Sequence, residues 1–508
     1  MSAGADPRSV CIIGVGQRTW RPDDPELLDG CAPEPLAMWE QVVRAAAEDA
    51  GAAGGAAAVL GRLDDRRVIY SQTWQYDDPA GRLAERLGLD GGEGTYTGIG
   101  GTRPLQELSS LAARIASGEV GAGVVVSGEA LATVRRIKKA GEKPAFSFRD
   151  PERKPFPLEA PFLDTEISHE VFQAWLTFAT WDVGRRAARG DDPTAYRAAI
   201  GRTMAPLTEV AAANPCAWFP VARAADELVT ATADNRMVGY PYTKLVVSVM
   251  DVDMAAAVIV ASTQVADELG VPDEQRVHLR GWCYGTDPTY LAEHHSFASV
   301  PGMAATTGEA LRAAGVGIDD VAHLDLYSCF PSSLHHAADA NGISPTDPRG
   351  LTVTGGLPYF GGPGSGYGTH AVATMADVLR SDPGSLGLTT GVGMHMTKHA
   401  AALWSTAPPA GPLPRPDEAA VQAALDARPR RTIVPAATGP ATIATYAVVH
   451  GRDGGPEWAL IVADLPSGER CYARAVDAEL LAALEADEWV GRPITLRDGG
   501  GGINLVEA

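Results

Sequence analysis

Short apolar runs that end in glycine recur along this chain and predict buried strands. Ser9–Gly16 (SVCIIGVG) and Gly123–Glu129 (GVVVSGE) are rich in β-branched residues, and each meets glycine where a sharp turn would follow. Between them, apolar residues at helical spacing predict one face of a helix, formed by Leu105, Leu108, Leu111, Ala112 and Ile115. Strand and helix therefore alternate, which is typical of an α/β fold.

The same pattern returns in the second part of the chain. Apolar runs cover residues 245–249 and 256–261, and strands are predicted at 277–283, 324–327 and 389–394. Two similar halves indicate a duplicated core. The stretch between them, from about 145 to 240, is rich in proline, tryptophan and charge, and it predicts helices and loops rather than sheet.

The C-terminal quarter has a different composition. Recurrent prolines between Ala407 and Pro440 predict a linker that contains one helix, Glu418–Ala427. Strand-like runs with glycine turns follow and predict a small antiparallel barrel, similar in shape to an oligonucleotide/oligosaccharide-binding (OB) fold. The expected units are an N-terminal half at 1–250 with a loop domain at about 130–240, a C-terminal half at 251–406, a linker at 407–440 and a barrel at 441–508.

Length, charge and cysteine content restrict the class of protein. At 508 residues the chain exceeds one ordinary core, and 45% apolar with 21% charged residues is a globular composition. A net charge of -21 argues against nucleic acid and anionic membranes as partners, although a local basic pocket remains compatible with it. No run is long enough to span a membrane and Met1–Pro7 does not resemble a signal peptide, so a cytoplasmic protein is expected. The six cysteines include no Cys-x-x-Cys pair, which predicts reduced thiols and no zinc ribbon.

The glycine-rich segment Gly355–Gly366 (GGLPYFGGPGSG) is the most informative motif. It resembles the thiolase segment in which a glycine pair precedes Gly-His-Pro, whose histidine activates the reacting thiol. Three other segments occur in the order found in that superfamily: Ile13–Gly16, Val126–Glu129 and Leu326–Phe330. With the appended barrel, the chain resembles type 1 thiolase-like proteins described as acetyl-CoA acetyltransferases.

This resemblance implies a fold, a ligand and a set of altered catalytic positions. The implied fold is a duplicated five-layer α/β thiolase fold of two βαβαβαββ halves, whose loop domain holds an acyl-CoA without any further cofactor. The nucleophilic cysteine of the family falls at Gly101, and the histidine falls at Gly362. The second cysteine falls at Thr389, and Tyr327 takes the place of the oxyanion-hole residue. Thiolysis through a cysteine acyl-enzyme is therefore not expected, because neither glycine nor a threonine hydroxyl can replace a thiolate or an imidazole.

Three nearby side chains are candidates for other chemistry. Tyr327 and Phe330 match a Tyr-x-x-Phe motif of thiolase-like aldolases, in which tyrosine is the base of a retro-aldol step; a structural role is the alternative. His370 follows Gly362 and is either a base near the pocket or a residue that packs or caps a helix. Cys329 is either a nucleophile or a small core residue.

Ligand-binding candidates come from the same resemblance. Arg223 and Lys244 are candidates for the CoA phosphates, or belong to a solvated face, and Trp218 is a candidate to cover the ligand. His395 and His399 would share a face if helical, but no metal site is expected. Three functions remain: a thiolase-like protein that binds and acts on acyl-CoA thioesters, a retro-aldol lyase on 3-hydroxyacyl-CoA, and a non-catalytic acyl-CoA carrier. The barrel is a candidate surface for a protein partner.

Overall fold

A computed structural model describes residues 6–153, 162–413 and 415–507 of the chain. Residues 154–161 of the expected loop domain and Pro414 of the expected linker lie outside the described residues.

The strands of the described residues are β1 (Val10–Thr19), β2 (Asp65–Val68), β3 (Glu93–Tyr96), β4 (Ala122–Ala130), β5 (Met237–Tyr240), β6 (Tyr242–Thr243), β7 (Asp253–Ser262), β8 (Val277–Thr286), β9 (His323–Asp325), β10 (Leu386–Gly393), β11 (Lys398–Ser405), β12 (Gly439–His450), β13 (Pro456–Asp464), β14 (Arg470–Ala475), β15 (Pro493–Asp498) and β16 (Asn504–Val506). The α-helices are α1 (Pro35–Asp49), α2 (Gly55–Leu60), α3 (Pro79–Leu87), α4 (Arg103–Ser117), α5 (Leu131–Lys139), α6 (Asp164–Ser168), α7 (Ala174–Arg189), α8 (Pro193–Ala213), α9 (Ala225–Val229), α10 (Thr263–Leu269), α11 (Pro301–Ala314), α12 (Pro331–Asn341), α13 (Tyr367–Ser381), α14 (Glu418–Asp426) and α15 (Ala478–Ala486).

The duplication expected from the sequence is confirmed by the sheet topology. The N-terminal half has the strand order β3-β2-β4-β7-β1, and the C-terminal half has the matching order β9-β10-β11-β8. In each half one strand, β7 or β11, runs antiparallel to its neighbours. The described residues of the second half contain no counterpart of β3. The halves join where Cys11 and Ile12 of β1 pair with His278 and Val277 of β8.

Helices α4 and α13 lie at the centre of the molecule, because each contacts strands of both halves. Leu105, Leu108 and Leu111 of α4 pack with Val372 of α13 in one buried cluster, so the helix face predicted from the sequence is the buried one. Two of the predicted site residues lie at these helices. Gly101 lies just before the start of α4, and His370 lies on α13.

The glycines of the first strand have a packing role. A Cβ on Gly14 would lie 1.9 Å from the carbonyl oxygen of Ala46 on α1. Helix α1 therefore approaches the backbone of β1 more closely than any side chain allows.

The C-terminal barrel packs against the preceding part of the same chain. Strands β12 to β16 close through the pairing of β12 with β13, and β12 also pairs with β5 of the loop domain, Val448 with Tyr240. The segment before the barrel is also docked on the core. The Glu418 and Gln422 side chains of α14 accept hydrogen bonds from the Tyr284 and Thr286 backbone N–H groups of β8.

One apolar run of the sequence does not form a strand. Residues 245–249 lie outside the sheets, with a single 3-10 turn at Lys244–Val246. Among the described helices, none combines the length and apolarity that a membrane span requires.

Candidate functional site

The space beside Gly101, the position expected from the resemblance to hold the nucleophile, is filled by a tyrosine from the other half of the molecule. Gly101 immediately precedes Thr102, the residue that caps α4. A Cβ on Gly101 would lie 2.4 Å from the Tyr327 hydroxyl oxygen and 2.3 Å from the Val392 carbonyl oxygen. The space that a cysteine side chain needs is therefore occupied, and the structure brings the predicted site residues Gly101 and Tyr327 into contact.

Tyr327 is buried, with 5% of its surface exposed. Its backbone N–H donates to the Thr390 hydroxyl at 2.8 Å, and its ring meets Tyr367 edge to face with centroids 5.5 Å apart. The Tyr367 hydroxyl in turn donates to the buried carboxylate of Asp325 at 2.9 Å. Burial, with a smaller contribution from Cys329, raises the pKa of Tyr327 well above its ordinary value. The side chain is therefore a neutral phenol at neutral pH, and the phenolate that could act as a base is scarcely populated.

Gly362, the position expected from the resemblance to hold the catalytic histidine, has little room for a side chain. A Cβ on Gly362 would lie 2.4 Å from the Ser248 hydroxyl, and the Gly362 N–H donates to the Val249 carbonyl at 2.9 Å. On the other side of the same segment, the Trp218 backbone N–H donates to the Phe360 carbonyl at 2.7 Å. The glycine-rich segment is thus held between Trp218 and residues 248–249.

Thr389 is not part of this contact. Its hydroxyl accepts a hydrogen bond from the Trp404 indole at 2.9 Å, whereas the neighbouring Thr390 hydroxyl faces the Tyr327 backbone. Successive side chains of a strand point to opposite faces of the sheet, so Thr389 and Tyr327 lie on different sides of β10.

His370 and Cys329 are buried and uncharged at neutral pH. The His370 Nδ1 lies 3.1 Å from the Gln17 amide oxygen, its ring packs on Phe360, and burial lowers its pKa to about 3. Burial raises the pKa of the Cys329 thiol to about 12. Neither group is prepared to accept a proton or to attack as a thiolate.

Arg223 and Lys244 do come together, in a cleft of about 780 Å³. The cleft also contains Phe219, Val249 and Tyr359, so one end of it abuts the glycine-rich segment. Three carboxylates share it, namely Asp226, Glu227 and Asp234. Trp218 is not part of the lining but immediately precedes Phe219.

The two cations of this cleft differ in their partners. The Arg223 guanidinium pairs with the Glu227 carboxylate one helical turn away. The Lys244 side chain is exposed and makes no ion pair with the described residues. Lys244 is therefore the cation that is available to an anionic ligand.

Tyr359 is a candidate site residue that the sequence analysis did not identify. It is 3% exposed, and its hydroxyl has no hydrogen-bond partner among the described residues although it lines the cleft. A buried hydroxyl without a partner costs about 1–3 kcal/mol. The available signal was its position inside the glycine-rich motif Gly355–Gly366, which the resemblance places at the catalytic site.

The two histidines considered for metal binding do not lie on a helix. His395 belongs to the turn between β10 and β11, and its Nδ1 contacts the Thr177 hydroxyl at 2.7 Å. His399 lies on β11 and contacts the Asp287 carboxylate at 3.1 Å. No group of three metal-ligating side chains occurs within the described parts of the chain.

Comparisons with known proteins agree with the architecture. A family model for the additional C-terminal domain of type 1 thiolase-like proteins matches residues 420–501. The crystal structure of a monomeric SCP2-thiolase-like protein type 1 from Mycobacterium smegmatis is 31% identical, with a TM-score of 0.85 over 99% of both chains. No curated protein matches the chain in sequence.

More distant structures share the fold alone. An acetyl-CoA acetyltransferase from Syntrophomonas wolfei is 14% identical, with a TM-score of 0.57 over 78% of this chain and 99% of its own. An Ltp2-ChsH2(DUF35) aldolase is 16% identical, with a TM-score of 0.57 over 79% of this chain and 98% of its own. The thiolase-like fold expected from the sequence is thus confirmed, and the identity to the mycobacterial protein over the full length shows that this chain belongs to the type 1 SCP2-thiolase-like proteins.

Proposed function

We propose that this protein binds an acyl-CoA thioester in the cleft that contains Arg223, Lys244 and Tyr359, and that it does not perform cysteine-dependent thiolysis. The observation that carries the proposal is Tyr359, whose side chain lines a cleft of about 780 Å³ and whose buried hydroxyl has no hydrogen-bond partner among the described residues. A ligand that hydrogen-bonds this hydroxyl removes the penalty of leaving it unpaired. Clefts of this size are typical of small-molecule sites.

The charges of the cleft suggest how such a ligand is oriented. CoA carries phosphates at one end, and Lys244, which makes no ion pair with the described residues, is the cation that would receive one of them. The carboxylates of Asp226 and Asp234 oppose a large negative charge. We therefore expect modest affinity, with the amide-containing pantetheine arm directed toward Tyr359.

The chemistry of the aligned catalytic positions favours a carrier role. Gly101 and Gly362 have no reactive side chain, and Thr389 faces away from Tyr327. Cys329 is a buried thiol whose pKa is raised to about 12. The proposal therefore includes no acyl-enzyme and no cofactor other than the CoA thioester itself.

The binding proposal is tested by calorimetric titration with CoA and acetoacetyl-CoA. Lys244→Glu should weaken binding about tenfold or more, because a charge-assisted contact becomes a repulsive one. Tyr359→Phe should weaken it about fivefold through the lost hydrogen bond. Lys139→Glu, an exposed lysine at the end of α5, is the matched control and should leave affinity unchanged. Absence of saturable binding at millimolar ligand, or equal affinity of Lys244→Glu and Lys139→Glu, would contradict the proposal.

A retro-aldol lyase is the second candidate, and one observation favours it. The Tyr327 hydroxyl lies next to Gly101 at the N-terminal end of α4, where the helix dipole favours a phenolate. Against it stands the burial that raises the Tyr327 pKa. Mass spectrometry of the protein incubated with a panel of 3-hydroxyacyl-CoAs distinguishes the lyase from a protein that only binds acyl-CoA. Cleavage that is lost in Tyr327→Phe would support the lyase, and cleavage that persists in Tyr327→Phe would exclude tyrosine as its base.

A further inference from the structure

A basic segment lies on the surface of this acidic chain. Residues 135–143 (RRIKKAGEK) contain five basic residues and one acidic residue, although the whole chain has a net charge of -21. The segment covers the second part of α5 and the turn that follows this helix. A chain of this composition is expected to have an acidic surface, so a concentration of cations at one place needs its own explanation.

Four of these cations are exposed, namely Arg135, Lys138, Lys139 and Lys143, and we call them the basic face. The first three are separated by three and four positions along α5, so they lie on one side of the helix. The three lysines make no ion pair with the described residues. The fifth cation, Arg136, is half-buried and donates to the Gly30 carbonyl oxygen, which ties the helix to the core.

The helix dipole accounts for only part of this arrangement. Lys138 and Lys139 occupy the last turn of α5, where a cation is stabilised by about 0.3–1 kcal/mol. Arg135 lies in the middle of the helix, and Lys143 lies beyond its end. Like charges at helical spacing also repel each other by about 0.2–0.5 kcal/mol per pair. The fold therefore gains little from the basic face as a whole.

The carboxylates around the segment do not neutralise it. Asp251 pairs with Arg135, but the two side chains are 46% and 72% exposed, and such surface pairs contribute only about 0–1 kcal/mol. Glu142 belongs to the segment itself, and Asp29 precedes the glycine that Arg136 contacts. Five cations against three carboxylates leave a positive excess, and the weak pair leaves Arg135 free to turn toward another anion.

An exposed apolar side chain borders the basic face. The Leu131 backbone N–H donates to the Val252 carbonyl at 3.1 Å, so the start of α5 lies against residues 250–252. Met250 is 49% exposed there, next to the partner of Arg135. Methionine and arginine are enriched in protein–protein interfaces.

The charge of the whole chain favours a compact acidic polypeptide as the occupant. A nucleic acid or an anionic membrane would extend past the basic face and meet the rest of a chain whose net charge of -21 repels it. A cluster of carboxylates on a folded partner can meet the four cations alone. Apolar side chains of such a partner can also cover Met250.

We propose that the basic face is a docking surface for an acidic segment of a partner protein. This surface belongs to the N-terminal half and not to the barrel. Val249, two residues before Asp251, lines the cleft that contains Tyr359, so a docked partner lies beside that cleft. The inference does not depend on which ligand the cleft binds.

The test titrates the full-length protein with a dye-labelled, glutamate-rich peptide that also contains leucine, and follows fluorescence anisotropy. Binding should be saturable at low salt and should weaken about tenfold or more between about 0.05 and 0.5 M NaCl, because exposed charges are screened. The same peptide with lysine in place of glutamate should not bind. Lys138→Glu combined with Lys139→Glu should weaken binding of the acidic peptide about tenfold or more.

The matched control changes the total charge equally at another place. Arg428 and Arg452 are exposed and make no ion pair with the described residues. Arg428→Glu combined with Arg452→Glu should leave the peptide affinity within about twofold of the parent protein, because these positions do not belong to the basic face. Far-UV circular dichroism checks that both double variants keep the helix content of the parent.

Four results would overturn the proposal. Absence of saturable peptide binding at low salt would remove its basis, and equal weakening in the two double variants would show that total charge governs binding. Tighter binding of a short DNA duplex or of phosphatidylglycerol vesicles than of the peptide would assign the basic face to another polyanion. Loss of CoA affinity in the variant with Lys138→Glu and Lys139→Glu, with peptide affinity unchanged, would assign it to the phosphates of CoA.

Discussion

The hydroxyl oxygen of Tyr327 lies 2.4 Å from the point where a Cβ atom on Gly101 would stand. The two residues come from different halves of the duplicated fold. The tyrosine ring fits at position 327 because position 101 has no side chain. A side chain at position 101 and a tyrosine at position 327 compete for the same space. A larger residue at position 101 would therefore require a smaller one at position 327.

Restoring a cysteine at position 101 is expected to destabilise the protein without creating a thiolase. Gly101→Cys should lower the free energy of unfolding by about 1–3 kcal/mol, because the new Cβ meets the Tyr327 hydroxyl and the Val392 carbonyl. Urea denaturation measures this cost. In the double variant with Tyr327→Ala the two costs should not add, since removal of the ring gives the cysteine room. Strict additivity of the two single changes would contradict the packing argument.

The buried arginine between loop domain and barrel is expected to be a major contributor to stability. Arg186 on α7 is buried and donates to the Tyr240 hydroxyl at 3.2 Å, the Tyr446 hydroxyl at 2.7 Å and the Glu488 carboxylate at 3.0 Å. Arg186→Met should cost about 3 kcal/mol, because it leaves a partly buried carboxylate unpaired. Arg189→Met, at the exposed end of the same helix, is the control and should change stability by less than about 0.5 kcal/mol. Thermal and chemical denaturation measure the stability of both variants. Equal stability of the two would contradict a stabilising role for Arg186.

A histidine in the barrel makes stability depend on pH near neutrality. His450 at the end of β12 contacts the Glu485 carboxylate and the Gly454 carbonyl oxygen. Burial alone lowers the pKa of His450, but the hydrogen bonds to these two groups outweigh it and the net shift is upward. A raised pKa stabilises the folded state below the ordinary value of 6.5, and this contribution disappears as pH rises through the folded value.

We therefore expect the urea midpoint to fall as pH rises from about 5.5 to about 8.5, and this fall to be smaller in His450→Gln. His295→Gln, an exposed histidine, is the control and should keep the slope of the parent protein. If His450→Gln retained the full slope, another group would be responsible.

Removing the C-terminal region is expected to prevent stable folding of the rest. Strand β12 pairs with β5, and buried residues of α7 and the barrel share one core that includes Val183, Tyr240 and Val448. A chain that ends at Thr406 would expose this surface and the edge of β5, and it should aggregate. Gel filtration measures this, and co-expression of residues 407–508 as a separate chain should restore a monodisperse species. A monodisperse, cooperatively unfolding fragment 1–406 would contradict the prediction.

Local sequence predicted the elements of the core well where burial is uniform. The runs at Ser9–Gly16 and Gly123–Glu129 became β1 and β4, because a strand covered on both faces needs apolar residues throughout. Three barrel strands were predicted for the same reason, from apolar runs separated by glycine turns. Residues 245–249 are as apolar but lie outside the sheets, because apolar composition alone does not distinguish a strand from a buried loop.

The site was predictable only in part. Tyr327 and Gly101 were assigned to one pocket through the resemblance, but their direct contact depends on how the two halves pack. The opposite orientation of Thr389 depends on the register of β10. Whether the Tyr359 hydroxyl has a partner depends on which groups surround it, and none of the described residues supplies one.

The sequence by itself determined the α/β class, the duplication, the appended barrel and the absence of a cysteine or histidine at Gly101, Gly362 and Thr389, because these depend on residue identity and local periodicity. Only the tertiary structure decided that Tyr327 fills the space beside Gly101, that strand β12 of the barrel pairs with β5, and that the buried Tyr359 hydroxyl has no partner among the described residues. The physical reason is that free volume and hydrogen-bond satisfaction belong to contacts between residues distant in the chain, which no local pattern encodes.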